Sequence, residues 1–195
     1  MAQKGGYKHF MLKEIFEQPI AITDTLMGRV KEDKAEIELE DLKLPDMKNI
    51  KKIWMVACGT SYHACLIGKY MFESNLKIPV EVDIASEFRY RDPIVDKNHM
   101  LLLVSQSGET ADTIAAMKEG KKRNAFVLSI CNVLGSTLAR DADGVIFTHA
   151  GPEIGVASTK AFTTQITVLF MLMLFMGKKI GVFNKRELQK KIGEL

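Results

Sequence analysis

The feature that most constrains the fold is an alternation of short apolar runs with helical patterns from about residue 50 onward. Apolar runs of strand length lie at residues 53–57, 80–84, 100–104, 125–130 and 144–148. Strands that alternate with helices are joined by right-handed crossovers and form a parallel sheet covered on both faces. We therefore predict an α/β fold, with a doubly wound, five-stranded parallel sheet flanked by helices.

The first 45 residues differ in pattern and predict an N-terminal helical segment in front of a domain at residues 46–195. Phe10 to Gln18 has the spacing of a short amphipathic helix, which Pro19 should stop or redirect because proline lacks an amide donor. We expect a second helix from about Ile22 to Val30, then a charged loop at residues 31–40. Residues 184–195 predict a polar helix capped by an asparagine.

Composition excludes several classes of protein. A net charge of +3 without a cluster of five or more basic residues argues against nucleic acid as a partner. The three cysteines have no ligand or disulfide spacing, so we expect no metal site and a cytoplasmic, reducing location. The apolar run at residues 168–176 is shorter than the roughly 20 residues that span a bilayer. It predicts a helix buried in the domain or covered by a partner, and no membrane.

The most informative polar segment follows the third predicted strand. Ligands of parallel sheets bind beyond the carboxyl ends of the strands. Ser105, Ser107 and Thr110 offer hydroxyls there, and Gln106 adds an amide. A glycine lets the backbone approach a phosphate, and the N–H groups of a helix start add positive potential. The segment therefore predicts a phosphate site, with a plain helix cap as the open alternative.

Two other segments follow strands in the same way. Thr60 and Ser61 come after the first strand, where they can donate to a sugar or phosphate or simply cap a helix. In the segment at residues 153–160, the backbone of Val156 and the hydroxyl of Ser158 can hold a sugar. A cap at the helix start is again the simpler interpretation.

Five motifs together resemble one family. They are "MLKEIFEQP" at 11–19, "CGTS" at 58–61, "SEFRYR" at 86–91, "SQSGETADT" at 105–113 and "EIGVASTKAFT" at 153–163. The chain from about Gly6 to Gly177 resembles the first sugar isomerase (SIS) domain of the glutamine:fructose-6-phosphate amidotransferases. That resemblance implies a flavodoxin-like SIS fold.

The resemblance also implies a ligand. Fructose 6-phosphate or glucosamine 6-phosphate would be held mainly through its phosphate, and the sugar would be contacted by Val156 and Ser158. The residues that would hold the phosphosugar are Thr60, Ser61, Ser105, Gln106, Ser107 and Thr110. No cofactor, metal or catalytic residue is expected in this chain. The family's glutaminase domain and second SIS domain would be missing partners, and without them we expect binding but no synthase activity.

The alternatives to this function are a non-catalytic sensor and a standalone isomerase, and the oligomeric state is a separate question. A non-catalytic SIS sensor would carry a DNA-binding module, yet residues 1–45 have no basic recognition helix. A standalone phosphosugar isomerase would need groups for proton transfer, for which Glu153 with His149 is the one candidate; Glu153 can instead pair with Lys160. We predict a homodimer, because the apolar helix at 168–176 should be left partly uncovered; a monomer is the alternative if that helix is wholly internal.

Overall fold

A computed structural model describes residues 3–39 and 42–195. The N-terminal part consists of helix α1 (Phe10–Leu26), an antiparallel hairpin of β1 (Val30–Lys31) and β2 (Glu36–Ile37), and a 3₁₀ turn at Met47–Asn49. Within these described ranges, Val30 lies in a strand and not in a second helix. The expected charged loop therefore contains part of a hairpin.

Helix α1 runs without a break through Pro19, so the predicted stop at this residue is wrong. Proline cannot donate a hydrogen bond to the carbonyl of Ile15, four residues earlier. The side-chain amide of Gln18 donates to that carbonyl instead, at 3.0 Å. The neighbouring residue thus satisfies the acceptor that proline leaves open.

The main sheet has five parallel strands, as predicted, and their order is β4–β3–β5–β6–β7. Their bounds are β3 Lys52–Ala57, β4 Val80–Ile84, β5 His99–Ser105, β6 Phe126–Cys131 and β7 Gly144–Phe147. The helices that follow α1 are α2 Gly59–Leu76, α3 Ala85–Phe88, α4 Ala111–Lys122, α5 Thr137–Asp141, α6 Lys160–Lys179 and α7 Lys185–Ile192. Asn184 caps α7 through a capping box, as the sequence predicts.

Alternation along the strands divides the core between the two faces of the sheet. Met55 contributes to a cluster with α2 and α6, whereas Trp54 and Val56 join a cluster with α3 and α4. Residues 100–104 are fully buried, which explains the unbroken apolar run of β5. The fold is thus a sheet covered on both faces.

Helix α6 is buried within this single chain. By length and composition it could cross a membrane, but 67% of its most apolar 18-residue stretch is buried inside the protein. Val168, Leu169 and Met176 have no exposed surface. The prediction of a buried helix is confirmed, although Phe170 and Phe175 within the run at 168–176 are only partly buried.

Candidate functional site

The carboxyl ends of four parallel strands meet at one edge of the sheet. Ala57 of β3 pairs in register with Val104 of β5, Ser105 pairs with Cys131, and Cys131 pairs with Phe147. After β3 the chain forms β4 on one side of it and then returns to form β5 on the other side. The topological switch point therefore lies between the loops that follow β3 and β5.

The turn after β5 brings its predicted site residues together. The hydroxyl oxygens of Ser105 and Thr110 lie 3.1 Å apart, and Ser105 also accepts a hydrogen bond from the Gly108 amide at 3.1 Å. Ser107 accepts from the Glu109 amide at 3.2 Å. Gln106 lies in the same turn, half-buried. A compact turn with three hydroxyl groups thus stands directly before helix α4.

Helix α4 begins without a side-chain cap. Thr110 occupies the N-cap position, but its hydroxyl lies against Ser105 and makes no capping bond. The plain-cap interpretation is therefore wrong at Thr110. The first N–H groups of a helix need acceptors and carry the positive end of its dipole. An uncapped helix start beside hydroxyl groups can bind an anion.

The turn depends on a close approach to the loop after β6. Gly108 has a φ of +68°, and a Cβ atom there would lie 2.6 Å from the Cβ of Ser136. Glu109 accepts from the Thr137 amide at 2.7 Å and from the Thr137 hydroxyl at 2.8 Å. The bond from the amide, followed by the bond from the hydroxyl, lowers the pKa of Glu109. The carboxylate of this turn is therefore directed to the neighbouring loop.

Thr60 and Ser61 lie in the first turn of α2, which also begins without a side-chain cap. Ser61 is buried and accepts a hydrogen bond from the side-chain amide of Gln165 at 3.0 Å. A hydroxyl that accepts from an amide keeps its own proton for another acceptor. Gln165, on α6, was not predicted from the sequence, since nothing along the chain indicates that it meets residue 61.

Val156 and Ser158 lie on the loop after β7, two strands away from the turn after β5. Val156 is fully exposed. The Ser158 hydroxyl donates to Glu153 at 3.0 Å, and the same carboxylate accepts from the Thr159 amide at 2.8 Å. One oxygen atom of Glu153 therefore accepts from the backbone at the start of α6, and the other accepts from the Ser158 hydroxyl, so hydrogen-bond donors already occupy both oxygen atoms.

The suggested pairing of Glu153 with Lys160 is wrong. Lys160 is buried and forms an ion pair with Glu17 of α1 at 2.7 Å. This partner lies 143 residues away along the chain. No local spacing could have indicated it.

Asn132 joins the loops that follow three strands. Its backbone amide donates to the carbonyl of Gln106 at 3.0 Å. Its side-chain oxygen accepts from the Thr148 hydroxyl at 3.0 Å and the Ala150 amide at 2.8 Å, and its side-chain nitrogen donates to Gly151 at 2.7 Å. The sequence analysis assigned this residue no role. In the structure it links the turn after β5 to the loop that carries Val156 and Ser158.

Among the described residues, no group of three His, Cys, Asp or Glu side chains is arranged to hold a metal ion. Cys65 and Cys131 are buried, and Cys58 is half-buried at the start of α2. Burial raises the pKa of the Cys65 thiol.

A family model described as the SIS domain matches residues 46–175. The chain is 53% identical over its whole length to a glutamine–fructose-6-phosphate aminotransferase (isomerizing) of Caldanaerobacter subterraneus, and 52% identical over 97% of its length to that of Clostridium tetani. It spans 32% and 31% of these two relatives, about a third of their length. A solved C-terminal domain of glucosamine-fructose-6-phosphate aminotransferase from Francisella tularensis superposes on the whole chain with a TM-score of 0.91 and 43% identity. The chain covers 54% of that structure.

Proposed function

Because the chain belongs to the SIS domain family, we propose that it binds hexose 6-phosphates at the carboxyl edge of its sheet. Fructose 6-phosphate and glucosamine 6-phosphate are the proposed ligands. The turn of Ser105, Gln106, Ser107 and Thr110 receives the phosphate together with Thr60 and Ser61. The loop of Val156 and Ser158 contacts the sugar.

One observation carries this proposal: two helices, α2 and α4, begin without side-chain caps on either side of the topological switch point. Each start presents N–H groups and a positive dipole end at the carboxyl edge of the sheet, after two neighbouring strands. Hydroxyl groups of three residues in the turn after β5 supply further donors for phosphate oxygen atoms. A phosphate group can satisfy both helix starts at once, without a lysine or arginine.

The proposal extends to the longer protein. The relatives are named aminotransferases (isomerizing), and the chain corresponds to about a third of their length. We place it as the phosphosugar-binding part of such an enzyme, which makes glucosamine 6-phosphate from fructose 6-phosphate and glutamine. A glutaminase domain and a second SIS domain are its proposed partners within that enzyme, and the cytoplasm is its proposed location.

Homodimer formation is a further part of the proposal, supported by the exposed apolar residues of α1. Leu12, Phe16 and Ile20 lie four residues apart on one face of α1, and they are 40%, 61% and 64% exposed. A symmetric dimer can cover such a face with its own copy. Sedimentation at rising concentration tests this, and a species that stays at 21.9 kDa would contradict it.

Calorimetry with fructose 6-phosphate and fructose tests the binding proposal. We expect the phosphorylated sugar to bind and fructose to bind far more weakly, since most donors in the site face the phosphate. Ser107→Ala should raise the Kd for fructose 6-phosphate about 10-fold or more, because a hydrogen bond to a charged group contributes about 1.5–3 kcal/mol. Ser74→Ala removes an exposed hydroxyl of α2 that bonds only within its own helix and serves as the control. Equal affinity for both sugars would contradict the proposal.

A further inference from the structure

Three polar residues of the stretch at 11–19 contact the segment that follows β7. Glu14 is 2% exposed, and its carboxylate accepts from the Ile154 amide at 2.6 Å and the Gly155 amide at 3.0 Å. Glu17 pairs with Lys160, and Gln18 accepts from the Thr163 hydroxyl at 2.5 Å. These contacts come from a helix outside the residues that the SIS family model matches.

The loop is therefore fixed at two points by two carboxylates. Glu14 binds the backbone at residues 154 and 155, before Val156. Glu153 binds the Ser158 hydroxyl and the backbone of Thr159 and Ala161, after Val156. Only residues 156 and 157 lie between these points, and both are exposed. The conformation of the exposed residues thus depends on both carboxylates.

The contact with Glu14 is a close fit as well as a set of hydrogen bonds. A Cβ atom on Gly155 would lie 2.6 Å from a carboxylate oxygen of Glu14 and 3.4 Å from the Cα of Met11. Only glycine lets the loop approach α1 this closely. Burial of a carboxylate is costly unless backbone donors compensate for the lost water, and two backbone amides do so here.

We propose that Glu14 is a positioning residue, which holds the loop of Val156 and Ser158 in the conformation that contacts the sugar of a bound hexose phosphate. This inference rests on the proposed function, since it assigns the loop to the sugar and the turn after β5 to the phosphate. It gives the helix before the SIS domain a role in recognition of the sugar. A role in stability alone would affect all ligands of the site equally.

The test compares Glu14→Gln with Asp24→Asn in the 195-residue chain. Both changes replace a carboxylate of α1 by an amide, but Asp24 is exposed and lies ten residues beyond Glu14. A glutamine has one acceptor oxygen, and its NH₂ group would face a backbone donor. We expect the Kd for fructose 6-phosphate to rise about 10-fold in Glu14→Gln, while the Kd for inorganic phosphate stays within about twofold. Asp24→Asn should change neither.

A second variant guards against a failure of Glu14→Gln to fold. Gly155→Ala disturbs the same contact from the loop side and should change the ratio of the two Kd values in the same direction. An unchanged ratio in every folded variant would overturn the inference, as would a parallel weakening of both ligands. If the unsubstituted chain binds neither fructose 6-phosphate nor inorganic phosphate, the proposed function itself is wrong.

Discussion

Replacing Gly108 by alanine tests whether the turn after β5 is built by its close fit to the loop after β6. Part of the expected loss of stability comes from the backbone, because φ at Gly108 is +68°, a conformation that costs an alanine about 1 kcal/mol. The other part comes from packing, because the new Cβ would lie 2.6 Å from the Cβ of Ser136 and 3.5 Å from the Cβ of Cys131. Ser136 is only 3% exposed, so it has little room to move. Overpacking of this kind costs about 1–3 kcal/mol. We expect the free energy of unfolding to fall by about 2–4 kcal/mol.

Urea unfolding measures this loss, and two further variants separate the backbone contribution from the packing contribution. Gly28→Ala has a comparable φ of +74° with no atom within 4 Å of the new Cβ, so it should lose only about 1 kcal/mol. Ser136→Gly, introduced together with Gly108→Ala, removes the side chain that the new methyl group meets. The double variant should recover most of the packing contribution.

Equal losses for Gly108→Ala and Gly28→Ala would refute this reasoning, because Ser136 would then move aside at no cost. An absence of recovery in the double variant would refute it as well. The same series reports on the site, since the Leu138 amide donates to the Gly108 carbonyl at 3.1 Å and ties the two loops together.

Three further predictions concern charged and thiol groups. The pKa of Glu109 is lowered in the folded state, so its contribution to stability is present above the ordinary pKa of 4.5 and is lost as pH falls through the folded-state pKa. Urea midpoints of Glu109→Gln and the unsubstituted chain should therefore differ at neutral pH and converge in acid. Glu17→Gln leaves the buried ammonium of Lys160 unpaired and should cost about 1–3 kcal/mol in urea unfolding, whereas a second change of Lys160→Met should restore much of it. A thiol reagent should modify Cys58 fastest in the native protein, spare Cys65 because burial raises the pKa of its thiol, and modify Cys58 more slowly when fructose 6-phosphate is bound.

Each of these three predictions has its own contradicting result. Urea midpoints that differ equally at all pH values would show that Glu109 stabilises the fold by packing and not by charge. A double variant no more stable than Glu17→Gln would exclude the unpaired ammonium as the cause of the loss. Equal modification rates of Cys58 with and without fructose 6-phosphate would show that the bound ligand does not shield this thiol.

The sequence allowed the sheet and the position of the site to be predicted because both follow from local patterns. Five apolar runs defined the strands, and a parallel sheet places all their carboxyl ends at one edge. The cluster of Ser105 and Thr110 could be found in the same way, since both residues lie in a single turn. Their assigned contacts with a ligand stay predictions, as do those of Thr60 and Val156.

The contacts that support the site could not be predicted, because their partners are far apart in the chain. Gln165 donates to Ser61 over 104 residues, and Glu14 accepts from Gly155 over 141 residues. A spacing rule describes neighbours on one helix or strand and contains no information on such pairs. The continuation of α1 through Pro19 was missed for another reason: the usual rule ignores a side chain that replaces the missing donor.

Helix α1 reverses the usual placement of polar and apolar faces. An amphipathic helix normally turns its apolar stripe to the core. In α1, the exposed stripe contains Leu12, Phe16 and Ile20, while Glu14 is buried and Glu17 is only 27% exposed. Polar groups on the inner face cost free energy unless each one finds a specific partner. The inner face of α1 therefore contributes through directed hydrogen bonds, which can orient a loop in a way that apolar packing alone cannot.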